Sequence, residues 1–259
     1  MDSDREIEFF DRFAAEHGEY DVLGDDAYAR LTALFRKWIQ PRPGQRCIDL
    51  GCGTGAFTTA LRSFDLDLVG MDISPVSIEK ANRGAQGERY VVGDICATGF
   101  PDNSQDIVVY SGVLHHFPAR AARARVLSEG FRILAPGGHL FSYDPSAHSP
   151  SMWLYRSPRS PFFSSKGKTP NEVLLSRDEL AGELREAGFG PLIVRGIGGI
   201  TFRFVMSPRA RYLLSLYNVY ERALRYSRFE NRLGTFLVCA GKKPAKEAYS
   251  DGSETNPFR

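Results

Sequence analysis

Short apolar runs alternate along this chain with stretches in which apolar residues recur every three or four positions. The runs are typical of buried strands, and the spaced stretches are typical of amphipathic helices. Seven runs are predicted to form strands, at residues 46–50, 66–71, 89–93, 106–110, 139–143, 191–197 and 234–241. Because strands and helices alternate, the pattern predicts an α/β fold with a parallel sheet, helices on both faces and right-handed crossovers.

The first 40 residues predict helices rather than strands. Residues 5–39 have helical spacing with a break around residues 18–24, and large apolar side chains recur on one face of each piece: Phe9, Phe10 and Phe13, then Leu31, Leu34, Phe35 and Trp38. Pro41 and Pro43 end the second helix, because proline cannot continue a helix, and lead into the first strand.

Two long stretches fall outside the alternation of strands and helices. One covers residues 145–175 and is rich in serine, proline and aromatic residues, and the other covers residues 198–232. A connection of about 30 residues inside a compact domain is uncommon unless it is functional. We therefore expect both stretches to cover the same end of the sheet. The prediction is a single domain at 1–241, in which residues 1–40 and the two insertions form a lid, followed by a flexible polar tail at 242–259.

Composition narrows the class of protein. The 259 residues carry a formal net charge of +2, so the chain has no strong field that would attract nucleic acid. No apolar run reaches the roughly 20 residues that span a bilayer. The charged N-terminus does not resemble a signal peptide, which predicts a cytoplasmic protein. The four cysteines lack CxxC spacing, which predicts reduced thiols and no zinc site.

A glycine-rich turn joins the first predicted strand to a helix. Gly51, Gly53 and Gly55 occupy every second position directly after the run at 46–50. Glycine tolerates positive φ and lets a ligand approach the backbone closely. Three glycines in five residues therefore predict a surface that contacts a ligand.

Together with Asp49, this turn resembles motif I of the class I S-adenosylmethionine-dependent methyltransferases, an acid and an apolar residue followed by Gly-x-Gly-x-Gly. The resemblance covers residues 46–143 and is to the methyltransferase type 11, ubiquinone-biosynthesis-like branch. It implies a Rossmann-like sheet of seven strands with an antiparallel last strand, S-adenosyl-L-methionine as cofactor, and methyl transfer as the activity. In that branch the N-terminal segment folds over the cofactor, which makes Tyr20 a candidate wall of the site or, equally, a packing residue.

The same glycines also satisfy the fingerprint of dinucleotide-binding domains. Gly51, Gly53 and Ala56 fit Gly-x-Gly-x-x-Gly/Ala, and Asp72 follows at a suitable distance for a ribose hydroxyl. Asp49 favours the methyltransferase, because an acid at this place repels a pyrophosphate and attracts the methionine ammonium. An NAD-dependent oxidoreductase and a cofactor-binding scaffold without catalysis remain the alternatives.

Polar residues at the ends of successive strands complete the predicted cofactor site, because the carboxyl ends of parallel strands meet at one edge of a sheet. Asp49 is expected to meet the ammonium, directly or through water, and Asp72 to accept hydrogen bonds from the ribose hydroxyls. The resemblance adds residues near the adenine, on the glycine turn and near the sulfonium: Asp94, Ile95 and Ile73, then Gly51, Cys52 and Gly53, and Ser111.

The pair His115-His116, just past the fourth strand, is the predicted source of a general base. Methyl transfer is an in-line displacement, so positioning supplies much of the acceleration, and a base is needed only where the acceptor must lose a proton. Some natural-product sugar methyltransferases resemble this chain in having a histidine here and an aspartate after the fifth strand. We therefore predict that His116 takes the proton and that Asp144 orients His116 or the acceptor. His115, on the other side of the backbone, is the alternate, and no metal ligands are predicted.

The acceptor is predicted by class only. The stretch 206–232 carries six arginines interleaved with tyrosines and leucines, which indicates either contact with a membrane or lipid surface or a solvated helix over the sheet. We expect methyl transfer to an oxygen or carbon, less readily to a nitrogen, of a small-to-medium hydrophobic acceptor: a natural product, a sugar-bearing compound or a lipid-linked one. The expected partner is this small molecule, and no nucleic acid is expected to bind. The protein is expected to be a monomer or a dimer.

Overall fold

A computed structural model describes residues 7–9, 11–12, 23–163, 169, 171–203, 205 and 211–245. The predictions for Phe10, Phe13 and Tyr20, and for the tail beyond residue 245, lie outside the described residues. Within them, no helix combines the length and the apolar character needed to cross a bilayer.

One sheet of seven strands forms the centre of the fold. In chain order the strands are β1 (Arg46–Leu50), β2 (Asp67–Asp72), β3 (Arg89–Val92), β4 (Gln105–Ser111), β5 (Leu134–Pro145), β6 (Leu192–Ile197) and β7 (Phe236–Lys242). Their order across the sheet is β3-β2-β1-β4-β5-β7-β6. The first five strands pair in parallel, and β7 pairs antiparallel with both β5 and β6. The predicted Rossmann-like sheet with an antiparallel last strand is therefore confirmed.

Eight α-helices accompany the sheet among the described residues between 23 and 245, and residues 7–9 and 11–12 are helical as well. The eight are α1 (Asp25–Ile39), α2 (Ala56–Ala60), α3 (Pro75–Arg83), α4 (Arg120–Ile133), α5 (Pro150–Arg156), α6 (Arg177–Glu186), α7 (Leu214–Leu224) and α8 (Glu230–Leu233). Single 3-10 turns occupy Arg62–Phe64 and Leu114–His116. Helix α3 begins with a serine cap and a proline: the Ser74 hydroxyl accepts a hydrogen bond from the Ser77 amide, and Pro75 takes the first helical position.

Two apolar layers hold helices against opposite faces of the sheet. Phe35 of α1 and Phe57 of α2 pack against Phe141 of β5, with ring centroids 5.3 and 5.9 Å from the Phe141 ring. Leu140, the residue before Phe141, belongs instead to the layer that contains α4 and α6. This division follows from the two-residue period of a strand and confirms helices on both faces.

Both long stretches that fall outside the strand and helix alternation contain helices. The stretch at 145–175 carries α5, and the stretch at 198–232 carries α7 and α8. Three ion pairs join the second stretch to α1: Arg203–Asp25, Arg222–Asp26 and Arg30–Glu230. The Gly24 amide also donates to the Thr201 carbonyl at 2.8 Å. The first long helix and the second stretch therefore lie directly against each other.

The fifth strand is longer than predicted. It begins at Leu134 rather than at residue 139, and Leu134 pairs with Gln105 of β4. Proline and glycine usually mark a turn, so the sequence favours a turn at Pro136-Gly137-Gly138 before the strand. The pairing instead shifts register between Gln105 and Ile107, and this segment is an irregularity within the strand.

Gly130 of α4 lies against a buried side chain that leaves no room for a methyl group. A Cβ there would lie 2.0 Å from the Tyr110 hydroxyl, which donates to the Val126 carbonyl at 2.8 Å. We expect Gly130→Ala to lower the free energy of unfolding by about 1–3 kcal/mol, the usual cost of overpacking a core. Urea denaturation followed by circular dichroism measures this change.

Gly182 of α6 provides the matched control, since a Cβ on this helical glycine would meet nothing within 4 Å. Gly182→Ala should raise the free energy of unfolding by about 0.5–1 kcal/mol, because alanine favours the helix. Equal stabilities for the two variants would contradict the close contact between α4 and β4.

Candidate functional site

A cleft opens at the carboxyl ends of β1, β2 and β4, next to the point where the strand order reverses between β1 and β4. This is the usual ligand position in an open parallel sheet. Eight of the predicted cofactor residues line the cleft: Gly51, Cys52, Gly53, Asp72, Ile73, Asp94, Ile95 and Ser111. Asp49 lies beneath the cleft and does not line it, and Tyr20 is outside the described residues.

The glycine turn has the backbone that only glycine adopts readily. Gly51, Gly53 and Gly55 have φ values of +79°, +54° and +82°. A Cβ on Gly51 would lie 2.4 Å from Val113, and one on Gly55 would lie 2.6 Å from the Tyr90 hydroxyl. A Cβ on Gly53 would meet nothing within 4 Å, so this glycine leaves open space at the cleft wall.

Asp49 is fully buried under the turn, with both carboxylate oxygens in use. The Thr58 hydroxyl donates to one oxygen at 2.7 Å, and the Ser111 hydroxyl donates to the other at 2.6 Å. Burial raises the pKa of Asp49 to about 6. Ser111 lines the cleft, so its hydroxyl lies between Asp49 and the cleft, and Asp49 is expected to meet the ammonium directly or through water.

Asp72 reaches the cleft from the end of β2 and also holds the turn. It accepts hydrogen bonds from the Gly53 amide at 2.8 Å and the Ser74 amide at 2.9 Å. Burial raises the pKa of this carboxyl. At the end of β3, Asp94 accepts from the Cys96 amide at 2.8 Å, which closes a tight turn and brings Ile95 to the cleft.

The histidine pair also lines the cleft, but its contacts differ from those predicted. Asp144 Oδ1 lies 2.9 Å from His115 Nδ1 and accepts from the His115 amide at 3.1 Å, so Asp144 pairs with His115 and not with His116. The two imidazole rings lie on the same side, with centroids 4.1 Å apart. The physical reason is that Ser111 pairs with Tyr143 across β4 and β5, which brings the 3-10 turn after β4 over the next residue of β5, Asp144.

Burial distinguishes the two histidines. His116 Nδ1 lies 3.3 Å from the Thr169 hydroxyl, and burial, with the neighbouring His115 adding to it, holds the pKa of His116 well below its ordinary value. His116 is therefore neutral at pH 7 and a weak base. Asp144 is fully buried, which raises its pKa, and its Oδ2 has no hydrogen-bond partner among the described residues.

Arg156 and Glu172 line the same cleft, although no sequence motif marks them. The Arg156 guanidinium donates to Glu172 at 2.9 Å, and the Thr169 amide donates to the other carboxylate oxygen at 2.9 Å.

Ligand atoms of His115, His116 and Glu172 lie within 4.8 Å of one another, close enough for one metal ion. The sequence predicts no metal ligands, and Arg156 already supplies the positive charge that Glu172 requires. The only feature of the sequence that could have pointed to Arg156 and Glu172 is the unusual length of the 145–175 stretch that contains them.

The first comparison with known proteins concerns the middle of the chain. Residues 48–142 match a family described as "Methyltransferase domain". A 27-O-demethylrifamycin SV methyltransferase from Amycolatopsis mediterranei is 30% identical over 191 residues, which cover 68% of this chain and 66% of the relative. An uncharacterized methyltransferase from Synechocystis is 31% identical over 147 residues, which cover 57% of this chain and 68% of the relative.

Other relatives are much longer than the matched region. A protein named "Probable tRNA methyltransferase 9B" from mouse is 34% identical over 120 residues, which cover 46% of this chain and 26% of the relative. The chain thus spans about a quarter of the length of some curated relatives and about two thirds of others.

A solved structure shares the fold over most of both chains. A methyltransferase from Thermotoga maritima, described as a "possible histamine N-methyltransferase", superposes with a TM-score of 0.62 at 18% identity, covering 91% of this chain and 99% of that chain. The family match and the Synechocystis relative agree with motif I and with the sheet order. The chain therefore belongs to the S-adenosylmethionine-dependent methyltransferases, and S-adenosylmethionine is its cofactor.

Proposed function

We propose that this chain transfers a methyl group to an oxygen atom of a small-to-medium hydrophobic acceptor, with carbon as the second candidate. The proposal rests on the 2.9 Å contact between His115 and Asp144 at the wall of the cleft. A carboxylate behind a histidine orients the imidazole to take a proton from a hydroxyl. The relative named for 27-O-demethylrifamycin supports oxygen as the accepting atom. Natural products, sugar-bearing compounds and lipid-linked compounds remain the acceptor classes.

The residues at the cleft fit the cofactor. Gly53 leaves open space at the turn, and Asp72 offers carboxylate oxygens at the end of β2, where the ribose hydroxyls would bind. Ser111, with Asp49 behind it, would hold the methionine end, and Asp94 with Ile73 and Ile95 would hold the adenine. When bound, S-adenosylmethionine supplies a methyl group on a positively charged sulfur, open to in-line displacement.

The histidine pair would divide two tasks between them. When His115 is neutral, its Nδ1–H donates to Asp144, which leaves Nε2 free to accept a proton from the acceptor hydroxyl. His116, which burial keeps neutral, would form the neighbouring wall. This reverses the order in which the sequence ranked the two residues.

Several contacts support the proposal that residues 1–40 and the two insertions cover the cleft. Asp11, in the N-terminal segment, accepts a hydrogen bond of 2.5 Å from the Ser74 hydroxyl, two residues after Asp72. Leu23 forms a β-bridge with Phe202, and both line the cleft. Arg156 and Glu172 bring the first insertion to the same place.

His115→Gln tests the proposed base. Glutamine cannot accept the proton, so we expect kcat to fall by about 10²–10⁴, the usual contribution of a general base, while the Kd for S-adenosylmethionine stays unchanged. Radiolabelled methyl transfer across phenol, sugar and lipid acceptors measures the first quantity, and calorimetry measures the second. His148→Gln, at an exposed histidine nearby, is the matched control and should keep full activity. Full activity in His115→Gln with loss in His116→Gln would return the role of base to His116.

Asp72→Asn tests the ribose contact. Asparagine keeps the size of the side chain but loses the charge, and a hydrogen bond to a charged group contributes about 1.5–3 kcal/mol, so the Kd for S-adenosylmethionine should rise by roughly 10–100-fold. Asp65→Asn is the control, because Asp65 is exposed and its positive φ suits asparagine equally well. Unchanged affinity in Asp72→Asn would rule out the ribose role.

A thermal-shift assay tests the identity of the cofactor. Stabilisation by a nicotinamide dinucleotide instead of S-adenosylmethionine would contradict the assignment of the cleft to S-adenosylmethionine.

The exposed side of α7 supports contact with an anionic lipid surface. Leu216 and Val219 are 67% and 60% exposed on this helix, and Tyr226 follows it at 82%. Arg225 and Arg228 stack on the exposed Tyr226 and Phe229 rings, with distances of 5.4 and 4.9 Å to the centroids. Apolar side chains flanked by cations are typical of helices that lie on anionic membranes.

Binding to vesicles tests this contact. The protein should sediment with phosphatidylglycerol vesicles at low salt, and much less at high salt or with phosphatidylcholine. Leu216→Ser with Val219→Ser should abolish sedimentation, whereas the control pair Val91→Ser with Val92→Ser, on the edge strand β3, should not. Equal binding by the two double variants would remove the lipid role of α7.

A further inference from the structure

We propose that an apolar chamber beside the cleft binds an apolar tail of the acceptor. This inference builds on the proposed function and specifies its substrate: a molecule with one hydroxyl-bearing head and one apolar tail. The chamber lies between α5 and α7, and its empty volume is about 610 Å³, part of which is open to solvent. Its lining consists mainly of apolar and aromatic side chains: Leu154, Tyr155, Phe162, Val205, Leu213 and Leu214.

The chamber adjoins the cofactor cleft, because Met152, Arg156 and Phe202 line both spaces. The proposal requires that one molecule reach from the cleft into the chamber past these three shared residues. The described residues that line the chamber include none of the predicted cofactor residues of the glycine turn and the strand ends. The order of the parts is therefore cofactor, reacting head and tail.

Two of the polar side chains at the chamber, Tyr217 and Arg156, already have hydrogen-bond partners in the protein. The Tyr217 hydroxyl donates to the Ile200 carbonyl at 3.0 Å. Arg156, at the junction with the cleft, donates to Glu172 and lies 5.3 Å from the centroid of the Tyr155 ring. A polar or charged tail would lose its hydration against this mainly apolar lining, so the chamber selects against it.

The junction explains how the head would be positioned. Arg156 and Glu172 lie on the same wall of the cleft as His115 and His116. A tail anchored past Met152 would hold the hydroxyl of the head beside the histidines, with the methyl donor on the far side. The tail would thus act as the positioning handle that an in-line displacement requires.

The binding of 4-alkylphenols of increasing chain length tests the chamber directly. Calorimetry is carried out on the full chain saturated with S-adenosylhomocysteine. We expect the Kd to fall about fourfold for each added methylene, the equivalent of about 0.8 kcal/mol, until the chamber is full, and then to level off. A Kd that does not depend on chain length in the native protein overturns the proposal.

Three variants separate the chamber from general hydrophobic adsorption. Leu214→Trp fills the chamber and should abolish the chain-length dependence without changing the Kd of phenol itself or of S-adenosylhomocysteine. Phe162→Ala enlarges it and should move the plateau to longer chains, which keeps the proposal testable if the tryptophan variant does not fold. Ala223→Trp, at an exposed position of the same helix that lines neither space, is the control and should behave as the native protein. A chain-length dependence unchanged in both chamber variants overturns the proposal.

Turnover is recorded separately, so that the two proposals can fail independently. Length-dependent binding without methyl transfer to any acceptor would contradict the proposed function and leave the chamber in place. Methyl transfer to phenol with no benefit from a tail would do the opposite.

Discussion

The hydrogen bond from the Gly53 amide to the Asp72 carboxylate is the interaction on which the site depends. It joins the turn after β1 to the end of β2, and the Gly51 and Cys52 amides add bonds of 2.8 and 3.0 Å to the Met71 carbonyl. These amides can face β2 only because the turn takes up positive φ. The same carboxylate that fixes the turn also lines the cleft, so the shape of the backbone and the charge offered to the ligand are set together.

Two further carboxylates flank β4 and are fully buried, Asp49 in β1 and Asp144 in β5. Burial of a carboxylate is costly unless it is hydrogen-bonded, and each one here is bonded to a residue that faces the cleft. Asp49 holds the Ser111 hydroxyl, and Asp144 holds the His115 ring. Burial raises the pKa of both acids. The buried acids therefore orient the polar groups that the cleft presents, the Ser111 hydroxyl and the His115 ring.

Much of the fold is predictable from sequence because it depends on local pattern. The bounds of β1 and the cap of α3 follow directly from apolar runs, proline and serine. The antiparallel direction of β7 is different, since periodicity carries no information about direction and the prediction came from family resemblance. The early start of β5 is missed because proline and glycine, which usually mark a turn, lie here within an irregular strand pair.

The site is predictable to the extent that it lies at strand ends. Asp72, Asp94 and Ser111 are found this way, because the geometry of a parallel sheet brings such residues to one edge. The pairing of Asp144 with His115 depends on the register between β4 and β5, and no pattern within one segment reveals it. Arg156 and Glu172 meet only through the folded insertion. The ion pairs between α1 and the stretch at 198–232 constrain protein engineering. In α1, Asp25, Asp26 and Arg30 pair with Arg203, Arg222 and Glu230 of that stretch. If the stretch were replaced by the corresponding segment of a relative, these charges of α1 would lose their partners. The two segments must therefore be exchanged together.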